Sequence, residues 1–396
     1  MNITHAAIVP LIGGLPLGQE KAFGSKSDYL LSYSPFKNND SHLVNHWSNT
    51  PYITLDEGGR HPHYVDVVGG TCPCAGLSSL SPSANSDAAV NDWLTTTAKY
   101  VLEEMKPKVF WGENAPRFAG EMGKPIVKKL HTIARDNGYT MSIYRTKSLL
   151  HGLSQVRERS FYFFWKGDRV PVFEWFDKPR KSIETLLREI PKGLTQNELT
   201  NPKTPSKDDP FYRYILEEMH GGITHQDFFE LIEKTVDTMS YIENKGVSYR
   251  DVKKWMSSNG YDKIASKLDG IQDKLDAGGN IMRRYSVIGK GYTGAFVGHL
   301  PMYLTHPDED RYITYREAMS IMALPYDFEL LNPKANLNHI CQNVPVTTAA
   351  DMANEIKAVL NGERDWMNGD LLYQFNNNQT YEMRSSDEPP NLESFL

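Results

Sequence analysis

The sequence predicts an α/β fold: a mostly parallel sheet with helices on both faces, and a smaller, partly helical region set into the chain. Three observations carry this expectation. Short apolar runs alternate with amphipathic runs over the first 166 residues, the pattern of strand–helix–strand units. The second amphipathic run closes on Asn137-Gly138, which suits a helix C-terminus. Beyond residue 200 the pattern breaks at NPKTPSKDDP (201–210), and helical runs follow.

The elements follow in order. AAIVPLI (6–12), YLLSYS (29–34), VDVVGG (65–70), KVFWGEN (108–114), TMSIYRT (140–146) and SFYFFWK (160–166) read as strands. The aromatic run within the last of these is expected in the sheet core. DAAVNDWLTTTAKYVLEEM brings Ala89, Trp93, Ala98, Val101, Leu102 and Met105 near helical spacing, and PIVKKLHTIARDNGY repeats the pattern. A first domain is expected over 1–169. A second, over 170–305, carries the helical runs YRYILEEM, FFELIEKTVDTMSYIE, YRDVKKWMSS and DKIASKLDGIQDKLD. RYITYREAMSIMALPYDF and TTAADMANEIKAVLNG read as helices that return to the first domain over 306–383, and 384–396 reads as an acidic tail.

Composition sets the outer bounds. The chain has 396 residues, 40% of them hydrophobic and 23% charged, which suits one large soluble domain plus a smaller one. No run of about 18 apolar residues offers a membrane span. MNITHAAIVPLIGGLPLG lacks the basic start and cleavage site of a signal peptide. Three cysteines, Cys72, Cys74 and Cys341, form no disulfide framework and suit a reducing, cytoplasmic setting. The net charge of −6 argues mildly against nucleic acid, yet Lys106–Arg180 holds fifteen Lys/Arg against seven Asp/Glu.

GGTCPCAGLSSLSP (69–82) carries the sharpest chemical signal. A zinc site needs about four ligands and only two cysteines are near each other. A redox pair usually takes C-x-x-C opening a helix, and the spacing here is C-x-C. Two buried thiols at a strand end remain a simple structural reading. The nucleophile reading gains from position, because Cys74 follows the carboxyl end of a predicted parallel strand, where doubly wound sheets bind ligands. Glu113 ends the next strand, where a carboxyl group could serve a ring nitrogen. Arg157 and Arg159 stand two apart before another strand, so both aim the same way. A surface carboxylate and a solvated arginine edge are the plain alternatives.

Together these segments resemble the DNA cytosine-5 methyltransferases. The resemblance covers most of 6–166 and 311–357. It is strongest at GGTCPCAGLS (the family's G-x-P-P-C-Q), KPKVFWGENAPRF (its E-N-V) and HGLSQVRERSFYF (its Q-x-R-x-R). RYITYREAMSIMALPYDFEL and HICQNVPVTTAADMANEI look like its last two blocks. The resemblance implies a Rossmann-like, S-adenosylmethionine-dependent methyltransferase fold with a target-recognition domain over 170–305. It implies that Cys74 attacks C6 of cytosine, that Glu113 serves N3, and that Arg159 with Arg157 orients Glu113 and meets O2. Cys72 replaces a proline and reads as a packing substitution. S-adenosyl-L-methionine would lie against Ile12, Gly13, Gly14, Asp56, Pro73 and Asn343. The partner would be DNA with its target base flipped out. The loop 79–91 would close over it, with Ser78 and Ser81 at the DNA, and Arg283, Arg284 and Lys290 would meet the backbone. No metal is expected, and the protein is expected to be a monomer or weak dimer.

Departures cluster on the methyl-donor side. Val9-Pro10-Leu11-Ile12-Gly13-Gly14 keeps the last glycine pair of the family's F-x-G-x-G-G but loses its aromatic residue and first glycine. The second strand ends near Ser34 rather than on an acid, and Ala75 replaces a glutamine. Each lost charged hydrogen bond is worth roughly 1.5–3 kcal/mol. Three accounts follow: a methyltransferase with a rebuilt donor site, the same thiol chemistry with another one-carbon donor, or a DNA-binding relative that flips cytosine without turnover.

Overall fold

The computed structural model describes residues 2–39, 44–73, 77, 91–298 and 300–384. The chain forms two compact units. The larger comprises Met1–Arg180, Met322–Asn332 and Gln342–Leu396, and the smaller Lys181–Ile321 and Pro333–Cys341.

The larger unit is built on a nine-stranded sheet. Its strands are β1 (His5–Ile8), β2 (Leu30–Ser32), β3 (Tyr52–Thr54), β4 (Val67–Gly70), β5 (Val109–Asn114), β6 (Tyr139–Lys147), β7 (Glu158–Lys166), β8 (Leu371–Phe375) and β9 (Thr380–Met383). Their spatial order is β9-β8-β6-β7-β5-β4-β1-β2-β3. Strands β1 to β5 are mutually parallel, as are β6 and β8, while β7 runs antiparallel between β5 and β6 and β9 is antiparallel to β8. The order reverses between β1 and β4, which makes the carboxyl ends of those two strands the topological switch point.

Two helical layers cover the sheet. Alternation along β5 and β7 sends Val109, Trp111, Phe161, Phe163 and Trp165 to one side and Phe110, Tyr162 and Phe164 to the other. The first set packs under α1 (Gly14–Phe23) and a long C-terminal helix, Val346–Leu360. The second packs under α2 (Asp92–Lys99) and α3 (Lys124–Asp136). Helix α3 starts with Pro125 in its first turn, buries Ile126, Val127, Leu130, Ile133 and Ala134, and ends at Asn137 before Gly138 at φ +75°.

The smaller unit has its own core. The helices α4 (Ile183–Arg188), α5 (Pro205–Asp208), α6 (Pro210–Tyr214), α7 (His225–Leu231), α8 (Thr238–Asn244), α9 (Tyr249–Ser258) and α10 (Asp262–Asp276) are followed by α11 (Tyr315–Ile321) and α12 (Pro333–Gln342). Phe211, Tyr212, Phe228, Tyr249, Val252 and Leu268 are among the residues that fill the core. Side-chain caps start several of these helices: Thr224 with Asp227 forms a capping box on α7, Asp237 caps α8 and Ser248 caps α9. The helix that follows α12 in the larger unit is α13 (Val346–Leu360).

Candidate active site

The carboxyl edge of the sheet gathers most of the residues singled out in the larger unit. After β1 the chain turns through two non-glycine residues with positive φ, Val9 at 50° and Leu11 at 53°. Val9 is β-branched, so its conformation is a genuine outlier, and each such residue costs about 1–3 kcal/mol. Leu11 stands where the resembling family has its first glycine and holds a backbone that glycine would adopt without strain. Ile12 is fully buried, and Gly13 (φ 108°) leads into α1. A Cβ on Gly13 would strike the Trp47 ring, and one on Gly14 would strike the Val344 carbonyl and the Asn343 carboxamide. Asn343 Oδ1 accepts from the Gly14 amide at 2.7 Å, occupying an orphan donor of the α1 N-terminus.

At the next strand ends the acid comes from an unexpected place. Asp56 lies in the turn after β3, yet its carboxylate accepts from both the amide and the hydroxyl of Ser34, just past β2. Those hydrogen bonds hold the exposed carboxyl below its ordinary value. Beside Ser34, the Tyr33, Phe36 and Trp93 rings form a cluster with centroids 4.9–6.4 Å apart.

Strand β4 continues into Thr71, Cys72 and Pro73. Cys72 is buried against the hydroxyls of Thr97 and Tyr162, and burial pushes its thiol up to about 11. Cys74, Ser78 and Ser81 lie outside the described residues, so the cysteine expected to be the nucleophile has no described geometry. On β5, beside β4, Glu113 is 3% exposed and forms an ion pair with Arg159 through Nε. Arg159 Nη1 also donates to the Glu158 carbonyl at 2.7 Å. Arg157 is 2% exposed, and its Nη2 reaches the Gln342 carbonyl at 3.4 Å, one residue before Asn343. The structure thus brings Glu113 and Arg159 together and directs Arg157 toward the approach to α13.

The cations expected at DNA have other engagements within the smaller unit. Arg283 forms a two-point pair with Glu243 at 3.2 and 2.6 Å. Lys290 Nζ donates to the Phe229 carbonyl at 2.9 Å and lies over that residue's ring. Arg284 is exposed. Two residues that sequence reasoning did not single out, Trp47 and Tyr162, shape this edge; a Cβ on Gly112 would strike the Tyr162 hydroxyl. Neither carries a spacing signal, since each acts across tens of residues of chain.

S-adenosylmethionine is the donor that the family resemblance implies. The glycine pair leaves no open cradle for it, because protein groups already fill both positions. The adenosine side does fit. An exposed carboxylate at the end of β2 suits ribose hydroxyls, and the half-buried Phe36 ring beside Tyr33 suits a base. Thr71 Oγ1 and Asn343 Nδ2 are buried polar atoms with no hydrogen-bond partner among the described residues, a condition that a ligand would relieve. Among the described residues no group of three or more His, Cys, Asp or Glu could hold a metal ion, and no helix is long and apolar enough to cross a membrane.

The sheet order and its helical layers define an α/β methyltransferase fold. A model of the C-5 cytosine-specific DNA methylases matches residues 42–358, and the chain belongs to that family. Over 113 residues it is 28% identical to the Type II methyltransferase M.AgeI of Thalassovita gelatinovora, a stretch covering 28% of this chain and 26% of that protein. The match therefore spans about a quarter of that relative's length. Among solved structures, an Escherichia coli prophage protein assigned as a DNA modification methyltransferase is 17% identical with a TM-score of 0.56, covering 91% of this chain and 99% of that one. The Entamoeba histolytica methyltransferase EhMeth is 12% identical with a TM-score of 0.55, at 91% and 99% coverage. At these identities the likeness is one of fold.

Proposed function

We propose that this chain methylates C5 of cytosine in DNA, with S-adenosylmethionine as donor and Cys74 as a covalent nucleophile. The observation that carries the proposal is the buried Glu113–Arg159 pair at the carboxyl edge of β5, beside the strand that leads into Cys74.

Within the aromatic ring, C5 of cytosine is a weak nucleophile. Addition of the Cys74 sulfur to C6 forms an S–C6 bond and moves electron density onto C5, while negative charge grows at N3 and O2. Glu113 would take up a proton as the base binds and donate it to N3 as that charge grows. Arg159 locks the carboxyl in place and supplies positive charge toward O2, while Arg157 braces the segment from the side of α13. When bound, S-adenosylmethionine supplies a methyl group on a positively charged sulfur. Asp56 would accept from its ribose hydroxyls, Tyr33 and Phe36 would face its adenine, and Thr71, Pro73 and Asn343 would line the remainder. Loss of the C5 proton to a base then breaks the S–C6 bond and frees Cys74. A stacked base is out of reach of this edge, so the cytosine is flipped out of the duplex. The smaller unit, with the expected recognition region 170–305, would choose the target, Arg284 meeting phosphate.

The test is to express the protein and its Cys74→Ala variant in cells and weigh the nucleosides of the digested DNA. Methylcytosine from the wild type alone is the expected result. A heavier modified cytosine would replace the donor, and unmodified DNA from a folded wild type would favour base flipping without turnover.

A further inference from the structure

We propose that His151 is a positioning residue for the segment that carries Arg157 and Arg159, holding it to α13 through Asp351. The inference rests on the role assigned to those arginines under the proposed function.

His151 is fully buried in the turn between β6 and β7. Its Nδ1 lies 2.8 Å from Asp351 Oδ2, and its Nε2 lies 2.8 Å from Thr146 Oγ1. Lys178 Nζ donates to the other Asp351 oxygen at 2.6 Å, and Asn376 Nδ2 donates to Thr146 Oγ1 at 3.0 Å. The polarity of this chain is determined. The paired Asp351 carboxylate only accepts, so Nδ1 carries the imidazole proton, and the Thr146 hydroxyl donates to Nε2. The neutral ring satisfies every member.

The same helix holds the segment a second time. Thr348 Oγ1, one turn before Asp351, bonds Ser148 Oγ at 3.4 Å. Ser148 in turn donates to the Arg157 carbonyl through its amide at 2.9 Å and its hydroxyl at 3.2 Å. Two points on α13, three residues apart, therefore fasten the turn that ends at Arg157. An Asp–His–Thr series also suggests a hydrolytic triad, but His151 and Thr146 are both closed to solvent, so no substrate reaches the hydroxyl.

Protonation undoes the arrangement. A proton on Nε2 leaves the Thr146 hydroxyl hydrogen without its acceptor. The charged groups facing the ring are Asp351 from α13 and Lys178 from the strap after β7, and the Phe176 ring lies 4.7 Å away. Burial keeps the imidazole below its ordinary value.

Hydrogen–deuterium exchange on the full chain tests this without reference to activity. His151→Phe and the near-isosteric Thr146→Val should each raise exchange in peptides covering 148–160 by about tenfold, leaving peptides from α3 unchanged. In methylation assays both variants should lose about 10–100-fold in kcat at unchanged KM for DNA. Unchanged exchange over 148–160, or a loss carried by KM alone, overturns the proposal. Raised exchange in a protein whose wild type leaves cytosine unmodified keeps the anchoring and removes the role assigned to the arginines.

Discussion

Arg159 is the residue on which Glu113 depends, because a carboxylate at 3% exposure needs a compensating charge. Arg159→Ala strands that charge and should lower stability by about 3–5 kcal/mol in urea unfolding, whereas Glu113→Gln should cost less in stability while abolishing methylation. The thiols invite a second measurement. Cys72 is buried with its thiol pushed up to about 11, so iodoacetamide at about pH 8 should leave it unlabelled until the chain is unfolded. Labelling of Cys72 in the native protein would contradict its place against Thr97 and Tyr162. Strand ends singled out Glu113 and Arg159 separately, and their partnership was legible only through the family resemblance. The Asp56–Ser34 and His151–Asp351 links were not. They join residues 22 and 200 apart, and no periodicity reports a side chain that reaches across the fold.

Helices α1 and α13 cross where Gly18 meets Ala349, and a Cβ on Gly18 would run into the Ala349 side chain and backbone. Gly18→Ala should therefore destabilise by about 1–3 kcal/mol from overpacking, despite the roughly 1 kcal/mol that alanine gains in helix propensity; a raised melting temperature would show that the helices part easily. Glu20 of the same helix clamps the turn that carries Trp47. Burial alone would raise its carboxyl, but donors from His46, Ser27 and Trp47 outweigh that and leave it lowered. A depressed acid stabilises the fold above its unfolded value and loses that contribution as the pH falls through the folded one. Melting temperature should thus drop below about pH 4.5 more steeply in the wild type than in Glu20→Gln. At this scale the sequence reading found β1, β2, β4, β5, β6 and β7 with boundaries shifted by a few residues. It missed β3, three residues long, and read the stretch that holds β8 and β9 as a continuation of helices. Nor could it see that β7 runs against its neighbours, because FYFFW is buried on both faces and an apolar run has no direction.

The molecule carries a net charge of −6, so any binding to DNA has to come from local cations. Arg283 and Lys290 are engaged inside the smaller unit, whereas Arg284 and lysines such as Lys254, Lys263 and Lys267 are exposed there. Arg284→Ala should reduce the slope of log affinity against log salt by about one; an unchanged slope would place the phosphate contacts elsewhere. The split of the chain into two units follows from the sequence only in outline. NPKTPSKDDP signals a change of regime, yet the recrossing at Met322–Asn332 and Gln342–Leu396 depends on which helix faces fit together. That recrossing sets a schedule for synthesis. The aromatic face of β5 and β7 leaves the ribosome early, while α13, which shields it, follows some 180 residues later. At roughly 5–20 residues per second, a nascent chain displays Trp111, Phe161 and Phe163 for about ten to forty seconds. Over that interval the aromatic face stays uncovered, and the chain gains the helix that fastens Arg157 only when the interval closes.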